Sequence, residues 1–245
     1  MRLLLLGGTG EARALAARLH PETEIISSLA GRVPDPALPV GPVRIGGFGG
    51  TDGLRNWLRD NGITAVVDAT HPFAATITAH AAAACAELGV AHLVLSRTPW
   101  DTAGATQVSS DTAAAETVAA QSYSRVFLTT GRSGLGAFGG SDAWFLIRVV
   151  TPPDPAVLPR RHHLLLSRGP YRYEDEHALM SGHGIQAMVT KNSGGVMTSA
   201  KLDAAQALGI DVVMIGRPPL PPDAHAVGSV DEAEAWVLSR GSAAG

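Results

Sequence analysis

The chain has 245 residues, of which 45% are hydrophobic and 17% charged, and a net charge of −3 at pH 7. Those values describe a folded protein with a sizeable core, exclude a disordered chain, and offer no basis for binding nucleic acid or a membrane surface. A lone Cys85 excludes an internal disulfide and a cysteine metal cage. It sits in the run Ala81-Ala-Ala-Ala-Cys-Ala86, where a buried helical thiol is expected.

Arg2–Leu6 reads as a buried strand, Gly7-Gly-Thr-Gly-Glu11 as a turn, and Glu11–Leu19 as a helix. Strand, glycine turn and helix start together form a phosphate-binding device, because the first-turn N–H groups and the helix dipole favour an anion. The dinucleotide fingerprint is incomplete: Gly8 and Gly10 are present, but Arg13 stands where the third glycine belongs. Leu3–Leu6 is too short for a signal-peptide core and no transmembrane span follows, so the chain is expected to be cytoplasmic.

Further strands are expected at Glu24–Ser27, Val43–Ile45, Ala65–Asp68 and His92–Leu95, with helices at Thr51–Asn61, Ala74–Leu88 and Asp111–Gln121. A second series has strands Arg125–Thr129, Trp144–Val149, His163–Ser167, Ala187–Thr190 and Val212–Ile215, and helices Tyr173–Ser181, Ser199–Leu208 and Asp231–Leu238. Alternating strands and helices predict an α/β fold with parallel sheets. Ten strands are many for one open sheet, so two domains are expected, residues 1–122 and 123–245, hinged at Gln121–Arg125 with a ligand cleft between them. Proline-rich stretches at 33–42, 152–159 and 218–222 are expected to be surface loops.

In such sheets ligands gather beyond the carboxyl ends of the strands. After the second strand stand Ser27, Ser28 and Arg32, with no carboxylate. Hydroxyls and a guanidinium suit a 2′-phosphate, which favours NADP over NAD. The fourth strand runs into Asp68-Ala-Thr-His-Pro-Phe-Ala74, placing Thr70, His71 and Pro72 at its end. His71 can contact a phosphate or nicotinamide, donate a proton, or simply cap the helix. Strand ends in the second half carry Thr129-Thr-Gly-Arg132, Ser167-Arg-Gly-Pro-Tyr171, Thr190-Lys-Asn-Ser-Gly-Gly195 and Gly216-Arg217, with Lys201 in the helix that follows. A rim of Arg132, Arg168, Lys191, Lys201 and Arg217 suggests a polyanionic ligand. There is no HExxH motif, no GxSxG elbow and no P-loop; no metal is expected.

These motifs, in this order, resemble the precorrin-6A reductase family of cobalamin biosynthesis. Gly7–Ala12, Asp68–Ala74, Thr129–Arg132, Ser167–Tyr171, Thr190–Gly195 and Lys201–Ala205 carry the resemblance across nearly the whole chain. It implies an NADPH-dependent reductase acting on one C=C bond of the macrocycle to give precorrin-6B. It also implies two Rossmann-like domains with the active-site cleft between them. Cofactor contacts are expected at Gly8, Thr9, Gly10, Glu11, Ser28, Arg32, Thr70, His71, Pro72, Thr130, Gly131, Arg132, Lys191, Asn192 and Ser193, and substrate contacts at Arg168, Tyr171, Lys201 and Arg217. The carboxylate-rich tetrapyrrole suits the cationic rim, and Tyr171, Phe73 and Trp100 are candidate flat walls. If an acid is needed, His71, Tyr171 and then Lys201 are the candidates, solvent being the other source. A monomer or small homo-oligomer is expected. Two other classes fit less well. An epimerase or dehydrogenase of a small metabolite would carry a Tyr-x-x-x-Lys pair, absent here, and an NADP(H)-sensing module would need no rim.

Overall fold

The structure, a computed structural model, describes residues 1–31 and 35–242. It comprises two compact units, Met1–Thr98 with Pro218–Gly245, and Pro99–Arg217.

The first unit contains strands β1 (Arg2–Leu6), β2 (Glu24–Leu29), β3 (Val43–Ile45), β4 (Ala65–Asp68) and β5 (Ala91–Leu95), and helices α1 (Gly10–Leu19), α2 (Gly50–Asp60) and α3 (Ala75–Leu88). The second contains β6 (Ala105–Val108), α4 (Asp111–Ala120), β7 (Arg125–Leu128), β8 (Trp144–Val149), β9 (His162–Leu166), α5 (Tyr173–Gly182), β10 (Ala187–Lys191), α6 (Ala200–Leu208) and β11 (Asp211–Ile215). Strand β12 (Ala226–Val227) and helix α7 (Val230–Ser242) then return to the first unit. Among the described residues no helix is long and apolar enough to cross a membrane.

Each unit has one six-stranded parallel sheet, ordered β12-β5-β4-β1-β2-β3 and β6-β11-β10-β7-β8-β9. The two orders have the same logic. In each, a central strand (β1 or β7) is followed by two strands on one side, and the chain then crosses back to the other. This gives a topological switch point between β1 and β4 in one unit and between β7 and β10 in the other. The sixth position is filled reciprocally: β12, which follows the whole second unit, pairs with β5, and β6, which follows β5, pairs with β11.

That exchange moves the division of the chain. The boundary expected at residues 122–125 lies within the second unit, and the crossings fall at 98/99 and 217/218. Strands β6 and β12 were not expected; both are short edge strands, and β6 reads Ala-Thr-Gln-Val, without a long apolar run. Elsewhere the expected elements are found with shifted ends; β2 runs on to Leu29 and α7 continues to Ser242.

Burial explains the sequence pattern. Leu3–Leu6 is fully enclosed because α1 and α7 cover one sheet face and α2 and α3 the other. Trp236 and Val237 of α7 close the core over Leu3, Leu5 and Leu15. In the second unit Phe127, Leu146 and Met188 pack against Met180, Ala204 and Ala205 of α5 and α6. The Ser229 hydroxyl accepts from Glu232 N (3.2 Å), and the Glu232 carboxylate accepts from Gly228 N (2.8 Å) and Ser229 N (3.0 Å), a capping box that starts α7.

Candidate active site

At the first switch point the chain leaves β1 through Gly7 and Gly8, the latter at φ +112°, a conformation that favours glycine. Among the described residues, a side chain there would meet nothing within 4 Å, so the backbone of the turn is uncovered. Thr9 caps α1: its hydroxyl accepts from Ala12 N (3.1 Å) and donates to Ala69 O (2.7 Å), tying the β1 turn to the β4 turn. The amides of Gly10 and Glu11 lie in the first turn, where a helix supplies no acceptor. Beside them Asp68, buried at the end of β4, accepts from Thr70 N (3.0 Å) and Thr70 Oγ1 (2.7 Å), while its Oδ2 has no partner among the described residues.

Thr9, Glu11, Thr70, Pro72, Leu95 and Arg97 line a small recess. Arg97 there pairs with Glu11 at 2.9 Å, so the acidic residue in the first turn of α1 is neutralised. His71 is exposed, and its Nδ1 accepts from Phe73 N at 3.2 Å within the turn before α3; the helix itself starts at N-cap Ala74 with no side-chain cap, so His71 does not cap it. Ser28 accepts from Arg44 Nη1 at 3.2 Å, whereas Arg32 lies outside the described residues, as does the start of the 33–42 loop. Burial lowers the pKa of Arg44.

The second switch point brings the ends of β7 and β10 side by side. Thr130, 5% exposed, leaves its hydroxyl without a partner among the described residues. Gly131 follows at φ +79° and Arg132 is exposed. Lys191 reaches Asp111 at 3.5 Å. Asn192 is buried and grips Trp100: its Oδ1 accepts from Trp100 N (2.8 Å) and its Nδ2 donates to Trp100 O (3.2 Å). The indole N–H donates to Gly195 O (2.7 Å), and Lys201 Nζ, itself buried, lies 4.7 Å from the ring centroid. Arg217 donates to the carbonyls of Asn192 (2.8 Å) and Ser193 (3.1 Å).

The five cations therefore differ in setting. Arg132 and Arg168 are exposed, Lys191 is paired, Lys201 is buried on an indole, and Arg217 braces the loop after β10. Tyr171 donates its hydroxyl to Ser167 O (3.1 Å) and lays its ring 4.0 Å from the Arg148 guanidinium. Leu166, Val196 and Met197 of the same unit are exposed, Val196 by 89%.

The family model described as precorrin-6x reductase CbiJ/CobK matches residues 2–238. The chain belongs to this family. A Mycobacterium tuberculosis protein named precorrin-6A reductase is 69% identical over 96% of this chain and 97% of its own length. One from Rhodococcus erythropolis with the same name is 54% identical over 96% and 97%. Relatives named cobalt-precorrin-6A reductase are 32% and 28% identical. A solved structure titled CobK precorrin-6A reductase superposes with a TM-score of 0.89 at 38% identity, covering 98% of this chain and 97% of that one.

A precorrin-6x reductase is an enzyme of cobalamin biosynthesis, and reduction implies a nicotinamide cofactor. In this reductase the first unit brings together Gly8, Thr9, Gly10, Glu11, Thr70 and Pro72, and the second brings together Thr130, Gly131, Arg132, Lys191, Asn192 and Ser193. His71 belongs to the first unit, Tyr171 and Lys201 to the second. Three arginines escaped the sequence reading. Arg44 and Arg148 are hidden within strands, though a cation inside the run Phe-Leu-Ile-Arg-Val is itself a signal, and Arg97 follows a strand without any glycine turn to mark it.

Proposed function

We propose that the chain reduces metal-free precorrin-6A to precorrin-6B with NADPH. Bound NADPH would supply the hydride. The amides of Gly10 and Glu11, with the open turn at Gly8, suit a pyrophosphate, and Arg97 offsets the Glu11 charge beside it. Arg132 and Arg168 would receive substrate carboxylates, and exposed Leu166, Val196 and Met197 would lie along the apolar ring system. Solvent would supply the proton that accompanies the hydride, a reading supported for Tyr171 by its hydroxyl already donating to Ser167 O.

One observation carries this reading: of two topologically equivalent switch points, one has a glycine turn suited to phosphate and the other a setting rich in cations. The metal-free substrate is favoured by the names of the relatives at 69% and 54% identity. The test is an anaerobic incubation of the purified protein with NADPH and precorrin-6A, with and without cobalt. Loss of NADPH absorbance with a gain of two hydrogens in the metal-free macrocycle is expected. Turnover of the cobalt form alone, or with NADH as well as NADPH, would overturn the respective part.

A further inference from the structure

We propose that Arg44, seated on Ser28, receives the 2′-phosphate of the cofactor and sets the preference for the phosphorylated dinucleotide. This rests on the NADPH reading above and assigns it to a residue.

Ser28 and Arg44 are register partners on β2 and β3, so their side chains leave the same sheet face near its carboxyl edge. The end of the second strand is where a doubly wound sheet reads the ribose of a dinucleotide, an acid there recognising the 2′-hydroxyl. Here that position holds Ser27, Ser28 and Leu29, none of them acidic. Arg44 stands in their place.

The guanidinium is fixed in advance. Nη1 donates to Ser28 Oγ (3.2 Å) and Gly46 O (2.5 Å), Nη2 donates to Gly47 O (2.6 Å), and the group stacks 3.7 Å from the Phe48 ring centroid. Three of five donors are engaged, which leaves Nε–H and one Nη2–H for an anion. Arg97 and Arg148 face Glu11 and Glu176, but Arg44 has no carboxylate partner among the described residues. A half-buried cation without a counter-ion favours an arriving anion, and burial lowers its pKa in keeping with that. Among the described residues, a side chain at Gly46 or Gly47 would meet nothing within 4 Å.

The test is calorimetry on the full chain with 2′,5′-ADP, 5′-AMP, NADPH and NADH. Arg44→Gln is expected to weaken 2′,5′-ADP and NADPH by about 10- to 100-fold and to leave 5′-AMP and NADH unchanged, with Arg44→Lys recovering part of the loss. Should Arg44→Gln fail to fold, Ser28→Ala carries the test, with a few-fold loss confined to the 2′-phosphorylated ligands. Equal loss on both ligand pairs would overturn the proposal by showing a structural role. So would a loss produced by Arg32→Ala and by neither Arg44→Gln nor Ser28→Ala. A wild-type protein that binds NADPH and NADH alike would instead refute the NADPH reading, and the proposal with it.

Discussion

Arg148 and Glu176 form a doubly hydrogen-bonded ion pair inside the second unit, Nη1 to Oε2 at 3.0 Å and Nη2 to Oε1 at 2.6 Å, with side chains 6% and 2% exposed. Removing one member strands a buried charge, whereas replacing both by apolar groups does not. Glu176→Ala is expected to lower unfolding free energy by about 3–5 kcal/mol. The double variant Arg148→Met/Glu176→Leu should lose far less, and urea unfolding of the two compares them directly. Equal losses would mean that packing volume, not charge, is what the pair supplies.

Tyr171 rests on Arg148 and spends its hydroxyl proton on Ser167 O. Its ring is therefore expected to matter more than its acidity. Tyr171→Phe should keep kcat within about 3-fold, short of the 10²–10⁴-fold drop that marks loss of a general acid. Tyr171→Ala, which removes the ring, should raise KM for the macrocycle. A large kcat drop in Tyr171→Phe would restore this residue as the proton donor.

Asn192 closes two hydrogen bonds onto the backbone of Trp100. Asn192→Ala leaves the part-buried N–H and C=O of Trp100 without these partners, at a cost of about 1 kcal/mol. The indole should then loosen from Gly195 and Lys201, read as a red shift in tryptophan emission. Emission identical to wild type would show that the indole is held by its own contacts.

His92 is pushed below its ordinary pKa by burial, with Asp68 opposing the shift. A histidine whose folded pKa is depressed binds its proton more readily when unfolded. Its contribution to stability is thus complete above the unfolded value, about 6.5, and is lost as pH falls from there toward the folded pKa. Thermal melts of wild type should weaken on acidification through that window, and those of His92→Gln should weaken less. Parallel pH profiles would place the acid sensitivity in another group.

Most strands and helices were legible because both sheets are covered on two faces, so runs such as Leu3–Leu6 and Val126–Leu128 announce themselves. The edge strands were not. Ala226–Val227 is two residues long, and Ala105–Val108 is partly exposed, so neither has a hydrophobic signature to set it apart. Their pairing partners lie far away in the chain, and no local pattern records that. At the candidate site the glycine turns and strand-end cations could be read directly. The environment of each cation could not: Lys201 and Arg168 look alike in sequence, yet one is buried against an indole and the other is exposed. Arg44 reads as an ordinary strand residue until Ser28 is placed beside it.

The traded edge strands also set a timetable. As the chain emerges from the ribosome, the first unit has made five of its strands but lacks β12 and α7, and with them Trp236 and Val237. The second unit can be completed while the first still waits for its closing helix. Leu3 and Leu5 of β1 are buried by Trp236 and Val237, more than 200 residues further along the chain, so the glycine turn that follows β1 gains its full support only once α7 has been made and has docked.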